Sequence, residues 1–374
     1  MNAASLQRPW YEVENLDRIE SPALLVYSDR VDENIHRMIA IVGDVARLRP
    51  HAKTHKSSAV TARYLAAGVN KFKAATIAEV EMLAQSGAAD VLFAYQPVGP
   101  NIRRLIDLIE TFPKTAFSCL LDNIGPAGRL SVEATRRKVD VGVFLDIDCG
   151  QHRTGIAPDE NAVSLYRQIS SLPGLKPLGL HAYDGHIHVG DLAVRKEQCE
   201  MAFARVAKLC EELRGLGLPV NTIVAGGTPT FPFHAQRGDV ECSPGTCVFW
   251  DFGYSTTFPD LEFLVAALVL TRVVSKPSRG RLCLDLGHKA IASENPPPRV
   301  EFLNLPNARA ISHSEEHLVI EAETADEFKI GDCLYGVPRH ICPTVALHAQ
   351  AIVIQSGLVS GEWAIDARDR HLTI

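Results

Sequence analysis

The segment Arg49–Lys56 carries the densest group of reactive side chains in the sequence. It reads "RPHAKTHK" and places Lys53 between His51 and His55, with Lys56 close behind. A lysine that is crowded by other cations and partly removed from water can lose its proton near neutral pH. The neutral amine can then form a Schiff base with an aldehyde, above all with pyridoxal phosphate. The alternative, a solvated basic loop, stays open from this segment alone.

Two short turns that contain glycine and threonine could bind a phosphate. The first contains Gly226, Gly227 and Thr228 after an apolar run, and the second contains Gly245 and Thr246. Glycines leave backbone N–H groups accessible to a phosphate, and the threonines add hydroxyl groups. Each segment taken alone is also compatible with an ordinary turn.

Arg153 and Tyr183 lie in two further loops that could contact a cofactor. Arg153 follows a glycine-containing turn and could orient an anionic oxygen, or it could be an ordinary surface arginine. Tyr183 lies in "HAYDGHIH", where its flat face and its hydroxyl suit a pyridine ring. His186 and His188 of the same segment could converge on zinc, although a polar pocket wall is the favoured interpretation.

His340 and Cys342, in "RHICPT", form a candidate metal-binding pair. In an extended segment, residues two positions apart project to the same side. Imidazole and thiolate together favour zinc, and a set of two protein ligands leaves the open positions that a catalytic metal needs. A buried cysteine near a structural histidine is the alternative.

Strand-like and helical patterns alternate along the chain from about residue 21. Thr76–Glu79 is a capping box that opens one of the helices. About eight β/α units predict an α/β fold, a (β/α)8 TIM-type barrel, whose site lies at the carboxyl ends of the strands. A doubly wound open sheet is the structural alternative. The apolar runs that predict strands are Ala23–Tyr27, Leu48–Lys53, Lys71–Ala75, Asp90–Tyr95, Phe117–Asp122, Val141–Ile147, Gly179–Tyr183 and Thr222–Gly226.

The pattern changes after about residue 260. Strand-like runs with Gly, Pro and Ser between them, and no amphipathic helix, predict a C-terminal β domain. We therefore expect a barrel over residues 20–260 and a β domain with the metal-binding pair over residues 261–374, with residues 1–19 associated with the β domain. The runs are Phe263–Val274, Arg281–Asp285, Leu318–Glu321, Cys333–Tyr335 and Gln350–Gln355.

Composition argues against several classes of protein. The 374 residues carry a net charge of −6 and no Lys/Arg-rich run, which argues against binding to nucleic acid. The N-terminus lacks the apolar core of a signal peptide, and no apolar run reaches the length that crosses a membrane. Nine cysteines without a paired framework indicate a reducing compartment, so we expect a cytoplasmic protein.

Taken together, these segments resemble the D-threonine aldolase and D-serine dehydratase family, which are pyridoxal-phosphate enzymes of the alanine-racemase-like fold type. The similarity runs from about residue 20 to the C-terminus and is most specific in "RPHAKTHK", "GQHRTG", "AGGTPT" and "HICPT". The resemblance implies a homodimer in which each β domain completes a neighbour's site. It implies Lys53 as the Schiff-base lysine, Arg153 and Tyr183 near the cofactor ring, Gly226, Gly227, Thr228, Gly245 and Thr246 around the phosphate, and His340 and Cys342 as ligands of a divalent metal.

The chain departs from the family pattern at several positions. Aldolase-type members often carry Asp at the second metal position, whereas Cys342 is closer to the dehydratase pattern. The acidic residue that often follows near the position of Ala349 is missing, and "YDGHIH" and "GTPTFPFH" are atypical. The expected metal is zinc first, with manganese or magnesium as alternatives.

The resemblance implies the cleavage of a small D-3-hydroxy amino acid. In an aldolase, the metal lowers the pKa of the substrate's β-hydroxyl, and cleavage gives glycine and an aldehyde. In a dehydratase that acts on D-serine or D-3-hydroxyaspartate, Lys53 removes the α-proton and the metal helps hydroxide to leave. We favour the aldolase, with the dehydratase as the alternative. The rivals are an amino-acid racemase, a noncatalytic pyridoxal-phosphate carrier, and a metal-dependent hydrolase that uses His51, His55, His186 and His188.

Overall fold

The computed structural model describes residues 8–374. The chain divides into two compact units that each combine separate stretches of sequence. One unit comprises Ile35–Cys247 with Asp366–Ile374, and the other comprises the described part of Met1–Asn34 with Val248–Ile365. The division therefore differs from the predicted boundaries at residues 20–260 and 261–374, because the chain enters and leaves the first unit through the second. Within residues 8–374, no helix is both long enough and apolar enough to cross a membrane.

Strand β1 (Ala23–Tyr27) and helix α1 (Ser28–Val42) open the regular structure of the described chain. A parallel sheet then follows with its strands in sequential order, as expected for repeated β/α units. Its strands are β2 (Lys71–Ala74), β3 (Asp90–Phe93), β4 (Ala116–Leu121), β5 (Val141–Ile147), β6 (Leu175–Ala182), β7 (Thr222–Ala225) and β8 (Val240–Cys242). The helices that accompany them are α2 (Ser58–Ala66), α3 (Ile77–Gln85), α4 (Pro100–Thr111), α5 (Ile124–Arg137), α6 (Glu160–Ser170), α7 (Leu192–Gly215) and α8 (Phe231–Ala235).

Residues 48–51 close this sheet into a barrel. Leu48 forms a parallel bridge with Cys242 of β8, and His51 forms a parallel bridge with Lys73 of β2. The amide of Arg49 donates to the carbonyl of Cys242, so the segment continues the sheet although it is too irregular to be a strand. The predicted eight-membered barrel is therefore confirmed, with seven strands and one irregular segment as its members.

One predicted barrel strand is wrong and one barrel strand was not predicted. Ala23–Tyr27 pairs with strands of the second unit and is not part of the barrel. The eighth position is filled by β8, which was not predicted because three residues with a central Glu241 give no apolar run. Half of the predicted capping box is present, since Thr76 Oγ1 accepts a 3.1 Å hydrogen bond from the amide of Glu79. The Glu79 carboxylate accepts from the amide of Ala75 and not from that of Thr76.

The second unit is built on a mixed, mostly antiparallel sheet. Its elements are α9 (Phe252–Thr257), β9 (Ala267–Ser275), β10 (Arg281–Leu284), β11 (Val300–Phe302), β12 (Arg309–His313), β13 (Leu318–Glu321), β14 (Cys333–Pro338), α10 (Ile341–Leu347), β15 (Gln350–Gln355) and β16 (Leu358–Ala364). The strands β12, β13, β10, β9, β1, β15 and β16 lie side by side in that order, and β14 pairs with both β9 and β11.

The predicted C-terminal β domain is confirmed, with additions. The strands β11, β12 and β16 were not predicted, and the run that was predicted from Phe263 begins as a strand at Ala267. Helix α10 interrupts a region that was expected to contain no helix, and it begins one residue after His340. The apolar faces of the sheet pack in two clusters, one around Leu284 and Ile320 and one around Leu268 and Tyr335.

Candidate active site

Lys53 lies at the carboxyl end of the segment that closes the barrel. It is part of a short 3-10 helix, Ala52–Thr54, and its backbone amide donates a 3.3 Å hydrogen bond to Nδ1 of His51. The imidazole of His51 is buried, and burial together with the charges of Lys53 and Lys73 holds its pKa well below the usual value. His51 is therefore neutral at pH 7, so its Nδ1 can accept the hydrogen bond.

Lys56, the other lysine of the motif, has a different environment. Its amine forms an ion pair with Glu79, whose carboxylate is completely buried, and also donates to the carbonyl of Ala367. This ion pair holds the Lys56 amine against Glu79 of α3, which argues against Lys56 as the amine of a Schiff base.

Three basic side chains surround the ring of Tyr183. The guanidinium carbon of Arg153 lies 5.1 Å from the ring centroid, Nζ of Lys73 lies 5.6 Å from it, and Nζ of Lys53 lies 5.9 Å from it. The structure therefore brings together the three predicted catalytic residues Lys53, Arg153 and Tyr183. The structure also places Lys73 beside this ring, a residue that was predicted only as part of a strand.

The two predicted phosphate-binding turns meet at Thr228. Its hydroxyl oxygen accepts hydrogen bonds of 3.2 Å from the backbone amides of both Gly245 and Thr246. The backbone of Gly227 closely approaches the ring of Tyr183. A Cβ at this position would lie 2.9 Å from Cε2 of Tyr183, so the site favours glycine. Gly226 has a φ of 78°, in the left-handed region that favours glycine. All five predicted phosphate-site residues thus lie at one end of the barrel unit.

A buried hydrogen-bond network lies on the inner face of the barrel strands. Nδ1 of His181 lies 2.7 Å from Asp146 Oδ1, and Nε2 of the same ring lies 3.4 Å from Nζ of Lys73. Oδ2 of Asp146 accepts hydrogen bonds from Gln96 and Thr154, at 2.8 and 2.9 Å. These contacts fix the position of the imidazole, and they connect the ends of β5 and β6 with Lys73 on β2.

A second buried cluster joins the two segments that depart from the family pattern. Asp184 Oδ2 lies 2.8 Å from Nε2 of His234, and Sγ of Cys199 lies 3.4 Å from the same nitrogen. The hydrogen bonds to His234 and Thr230 keep the pKa of Asp184 below its usual value although burial opposes this. This is the one group of three potential metal ligands among residues 8–374. Because Thr230 and His234 both bind Asp184, the cluster anchors the turn that follows β7.

His340 and Cys342 are adjacent in the second unit, but their geometry differs from the expectation. His340 is the extended N-cap residue of α10, and Cys342 lies in the first turn of that helix, so the two do not lie on one extended segment. The side chains nevertheless form a hydrogen bond with each other. The two side chains are therefore brought together by the first turn of α10 and not by an extended segment.

Acidic groups surround this His–Cys pair. Nδ1 of His340 lies 2.5 Å from Glu294 Oε1, and buried Asp251 accepts a 3.0 Å hydrogen bond from the amide of Ile341. Burial opposes the charged imidazole, but the contacts with Cys342 and Glu294 raise the pKa of His340 to about 9. Histidine ligands of metals commonly donate their second ring nitrogen to a carboxylate, and Glu294 occupies that position here.

The histidines that a metal-dependent hydrolase would use are not assembled into such a site. His51 and His55 are buried, and burial lowers the pKa of His55 to about 3. His188 is exposed, while the ring of His186 packs beside Gly150. Among the described residues these four do not form a group of three ligands, which argues against the hydrolase.

Comparison with known proteins agrees with this arrangement. The alanine racemase N-terminal domain matches residues 26–251, and the putative serine dehydratase domain matches residues 266–354. D-Threonine aldolase of Arthrobacter sp is 31% identical over 371 residues, in an alignment that covers 97% of both chains. The chain belongs to the D-threonine aldolase and D-serine dehydratase family.

Other members of the D-threonine aldolase and D-serine dehydratase family are similar over nearly the same length. The 3-hydroxy-D-aspartate aldolase of Paracoccus denitrificans (strain Pd 1222) is 28% identical and covers 94% of this chain and 93% of its own. The crystal structure of D-threonine aldolase from Filomicrobium marinum superposes with a TM-score of 0.87 at 29% identity, over 94% of this chain and 95% of that one. The predicted family, the alanine-racemase-like fold and the assignment as a lyase are confirmed.

Proposed function

We propose that the chain is a pyridoxal-phosphate- and divalent-metal-dependent lyase that cleaves D-3-hydroxy amino acids into glycine and an aldehyde, as a D-threonine aldolase does. The observation that carries the proposal is the coexistence of an amine and phosphate-turn site in the barrel unit with an imidazole–thiol pair in the second unit. The similarity to D-threonine aldolase over nearly the whole chain supports the aldolase over the other members of the family.

The residues of the barrel unit fit pyridoxal phosphate. The amides of Gly245 and Thr246 donate to Thr228 Oγ1 and so orient its hydroxyl, which can itself donate to a phosphate ester. The hydroxyl of Ser243 is buried without a hydrogen-bond partner in the described chain, and it follows β8 by one residue. Lys53 would hold the aldehyde carbon, and Tyr183 and Arg153 would contact the ring. When bound, the cofactor supplies the electron sink that makes bonds to the α-carbon breakable.

The pair in the second unit fits a divalent metal, with zinc first and manganese or magnesium as alternatives. Imidazole and thiolate are ligands that zinc prefers, and Glu294 orients the imidazole. A metal would take the place of the hydrogen bond between His340 and Cys342. Its chemistry would be that of a Lewis acid, which lowers the pKa of a substrate hydroxyl. The proposal of His340 and Cys342 as the ligands rests on these contacts and on the family resemblance.

The alternative function is a dehydratase that acts on D-serine or D-3-hydroxyaspartate. Cys342 at the second metal position favours it, as does the match of residues 266–354 to the putative serine dehydratase domain. A racemase receives less support, because it has no use for a metal pair. A cofactor carrier has no use for the second unit.

We also propose a cytoplasmic homodimer. All nine cysteines are free thiols, and six of them are buried, which fits a reducing compartment. Carbanion chemistry needs protection from water, and a second copy of the chain is the proposed cover, as the family resemblance implies. Sedimentation of an active protein as a monomer at micromolar concentration would contradict the dimer.

The test of the activity uses purified protein with added pyridoxal phosphate and zinc or manganese. D-Threonine, D-serine and D-3-hydroxyaspartate are each assayed for aldehyde, glycine, keto acid and ammonia, with L-threonine as the stereochemical control. Acetaldehyde and glycine from D-threonine support the aldolase, whereas pyruvate and ammonia from D-serine support the dehydratase. Racemisation of D-alanine without consumption of any D-3-hydroxy amino acid would show that the lyase proposal is wrong.

A further inference from the structure

Lys73 is a buried lysine that lies beside the proposed cofactor site. It is 3% exposed and belongs to β2, in which the neighbouring Phe72 packs its ring against Tyr64 of α2. Because side chains alternate across a strand, Lys73 points to the opposite side, the inner face of the barrel. Its amine there lies 5.6 Å from the ring centroid of Tyr183, at nearly the same distance as the amine of Lys53.

The contacts of Lys73 form a directional chain of hydrogen bonds. Asp146 can only accept, because its pKa is below the usual value: the hydrogen bond with His181 outweighs the opposing effect of burial. Nδ1 of His181, 2.7 Å from that carboxylate, therefore carries the ring proton. Burial and the charge of Lys73 lower the pKa of His181, so Nε2 is unprotonated and accepts from Nζ of Lys73 at 3.4 Å. The orientation of the Lys73 amine is thus fixed by two further residues.

The charges around Lys73 keep its two protonation states close in free energy. Burial lowers its pKa most, followed by the positive charge of Lys53, and Arg49 acts in the same direction. Asp146 and Asp184 oppose this, and the pKa comes to about 7. His181 and His51, which also face this group of cations, both have lowered pKa values and are neutral. An amine with these neighbours can accept and release a proton near neutral pH.

We propose that Lys73 is a second catalytic amine, which carries the proton exchanged between the substrate's ammonium group and Lys53. The inference rests on the proposed attachment of the cofactor to Lys53. The substrate's ammonium must lose one proton before its nitrogen can replace Lys53 at the aldehyde carbon of the cofactor. Once displaced, Lys53 would be a neutral amine, and it would accept one proton to become an ammonium. Lys73 takes the first proton and delivers the second, so the exchange is balanced and needs no other reactant.

The competing interpretation is that Lys73 only supplies a fixed positive charge for nearby carboxylates. The substitution Lys73→Arg distinguishes the two roles, because arginine keeps the positive charge but does not give up its proton in proteins. Lys71 is a matched control on the same strand. It is two residues away and forms an ion pair with Glu241, and it has no contact with Tyr183 among those described.

The experiment measures the amine exchange itself rather than the cleavage. Holoprotein is mixed with D-alanine, which has no β-hydroxyl, and the change in visible absorbance is followed by stopped flow. We expect Lys73→Ala to slow the exchange about 100-fold or more, as for the loss of a general acid–base group. Added ethylamine should restore part of the rate in Lys73→Ala, Lys73→Arg should stay slow, and Lys71→Met should match the wild-type rate.

The outcomes are separable from those of the proposed function. Wild-type protein that gains no visible absorbance with pyridoxal phosphate would contradict the cofactor proposal itself. A Lys73→Arg or Lys73→Ala variant that exchanges D-alanine at the wild-type rate would overturn the proton-carrying role alone. If these variants do not fold, nitrogen-15 NMR of lysine side chains in the Lys53→Ala apoprotein decides, because this variant lacks the other amine of the site. One lysine that titrates below about pH 9 supports the proposal, and titration of every lysine above about pH 9 overturns it.

Discussion

Thr230 Oγ1 donates a 2.8 Å hydrogen bond to Oδ1 of Asp184. Asp184 directly follows Tyr183, the residue proposed to contact the cofactor ring. Thr230 in turn accepts a 3.2 Å hydrogen bond from the amide of Gly227 in the phosphate turn. The bond between Thr230 and Asp184 therefore couples the position of the ring contact to the position of the phosphate turn.

We predict that Thr230→Val weakens cofactor binding. The substitution keeps the size of the side chain but removes the hydroxyl that links Asp184 to Gly227. The dissociation constant for pyridoxal phosphate, measured by visible absorbance, should rise about tenfold, the effect of losing a bond of about 1.4 kcal/mol. Thr135→Val, at an exposed threonine of α5, is the matched control. Equal cofactor affinity in the two variants would contradict the proposed coupling.

Alanine substitutions at the two motif lysines should have different effects. Lys53→Ala should abolish the visible absorbance of the bound cofactor and leave the fold intact, since this amine is partly exposed. Lys56→Ala should keep the absorbance but lower the free energy of unfolding by about 3 kcal/mol, because buried Glu79 loses its cation. Absorbance spectra and urea denaturation measure the two quantities. The opposite pattern would show that Lys56 carries the cofactor.

The metal proposal predicts that chelation and cofactor binding are independent. Treatment with a chelator, or Cys342→Ala, should abolish cleavage while the visible absorbance of the cofactor stays. Glu294→Gln should weaken metal binding about 10- to 100-fold, because the carboxylate orients His340. Glu301→Gln, at an exposed carboxylate of β11, should leave metal affinity unchanged. Activity that is indifferent to both chelation and Cys342→Ala would count against the metal.

The lowered pKa of Lys73 predicts that the stability of the apoprotein depends on pH. Its pKa is about 7 in the fold and 10.5 when exposed, so between these values the unfolded chain binds one proton more. Stability from this group therefore rises with pH above 7 and is constant below it. Between about pH 7 and pH 9 the free energy of unfolding of the wild type should rise by about 1–3 kcal/mol relative to Lys73→Met. Urea denaturation at both pH values, with Lys71→Met as the control, measures this difference.

Gly227→Ala should reduce cofactor affinity more than stability. The added Cβ would lie 2.9 Å from the Tyr183 ring, so the ring must shift away from its position beside the phosphate turn. Gly238→Ala is the control, because a Cβ there meets no atom within 4 Å. Comparable loss of cofactor affinity in both variants would show that the close approach to Tyr183 is unimportant.

The sequence predicts the barrel well because strand ends and helix starts carry local signals. It assigns Ala23–Tyr27 to the wrong sheet because a short, mostly buried apolar strand has the same pattern in either environment. It misses β8 because Glu241 interrupts the apolar pattern. That glutamate is buried inside the barrel unit, where it pairs with Arg49 at 2.6 Å and also with Lys71. Such a pairing depends on residues distant in sequence, so no local pattern reveals it.

The sequence predicts only those residues of the candidate site that lie in local motifs. Lys53, Arg153 and Tyr183 are found because each lies in a recognisable motif after a strand, and the structure brings them together. Lys73 is missed because two lysines in "KFKA" resemble the solvated face of an edge strand. The alternation of Lys71 and Lys73 with apolar residues was the available signal, since one face of a barrel strand must point inward. The links from Lys73 to His181 and Asp146 require three strands and are visible only in the fold.

The segment that closes the barrel is also the place where the sheet should exchange its amide hydrogens most readily. In the described chain, residues 48–51 have one backbone hydrogen bond to β8, one to Pro244 after it and one to β2, whereas β2 and β3 share a four-residue ladder. Pro50 has no amide hydrogen to contribute. Within the barrel sheet, deuterium uptake should therefore be fastest at this junction, and it should slow there when pyridoxal phosphate attaches to Lys53. Exchange mass spectrometry can then report occupancy of the lysine without any substrate.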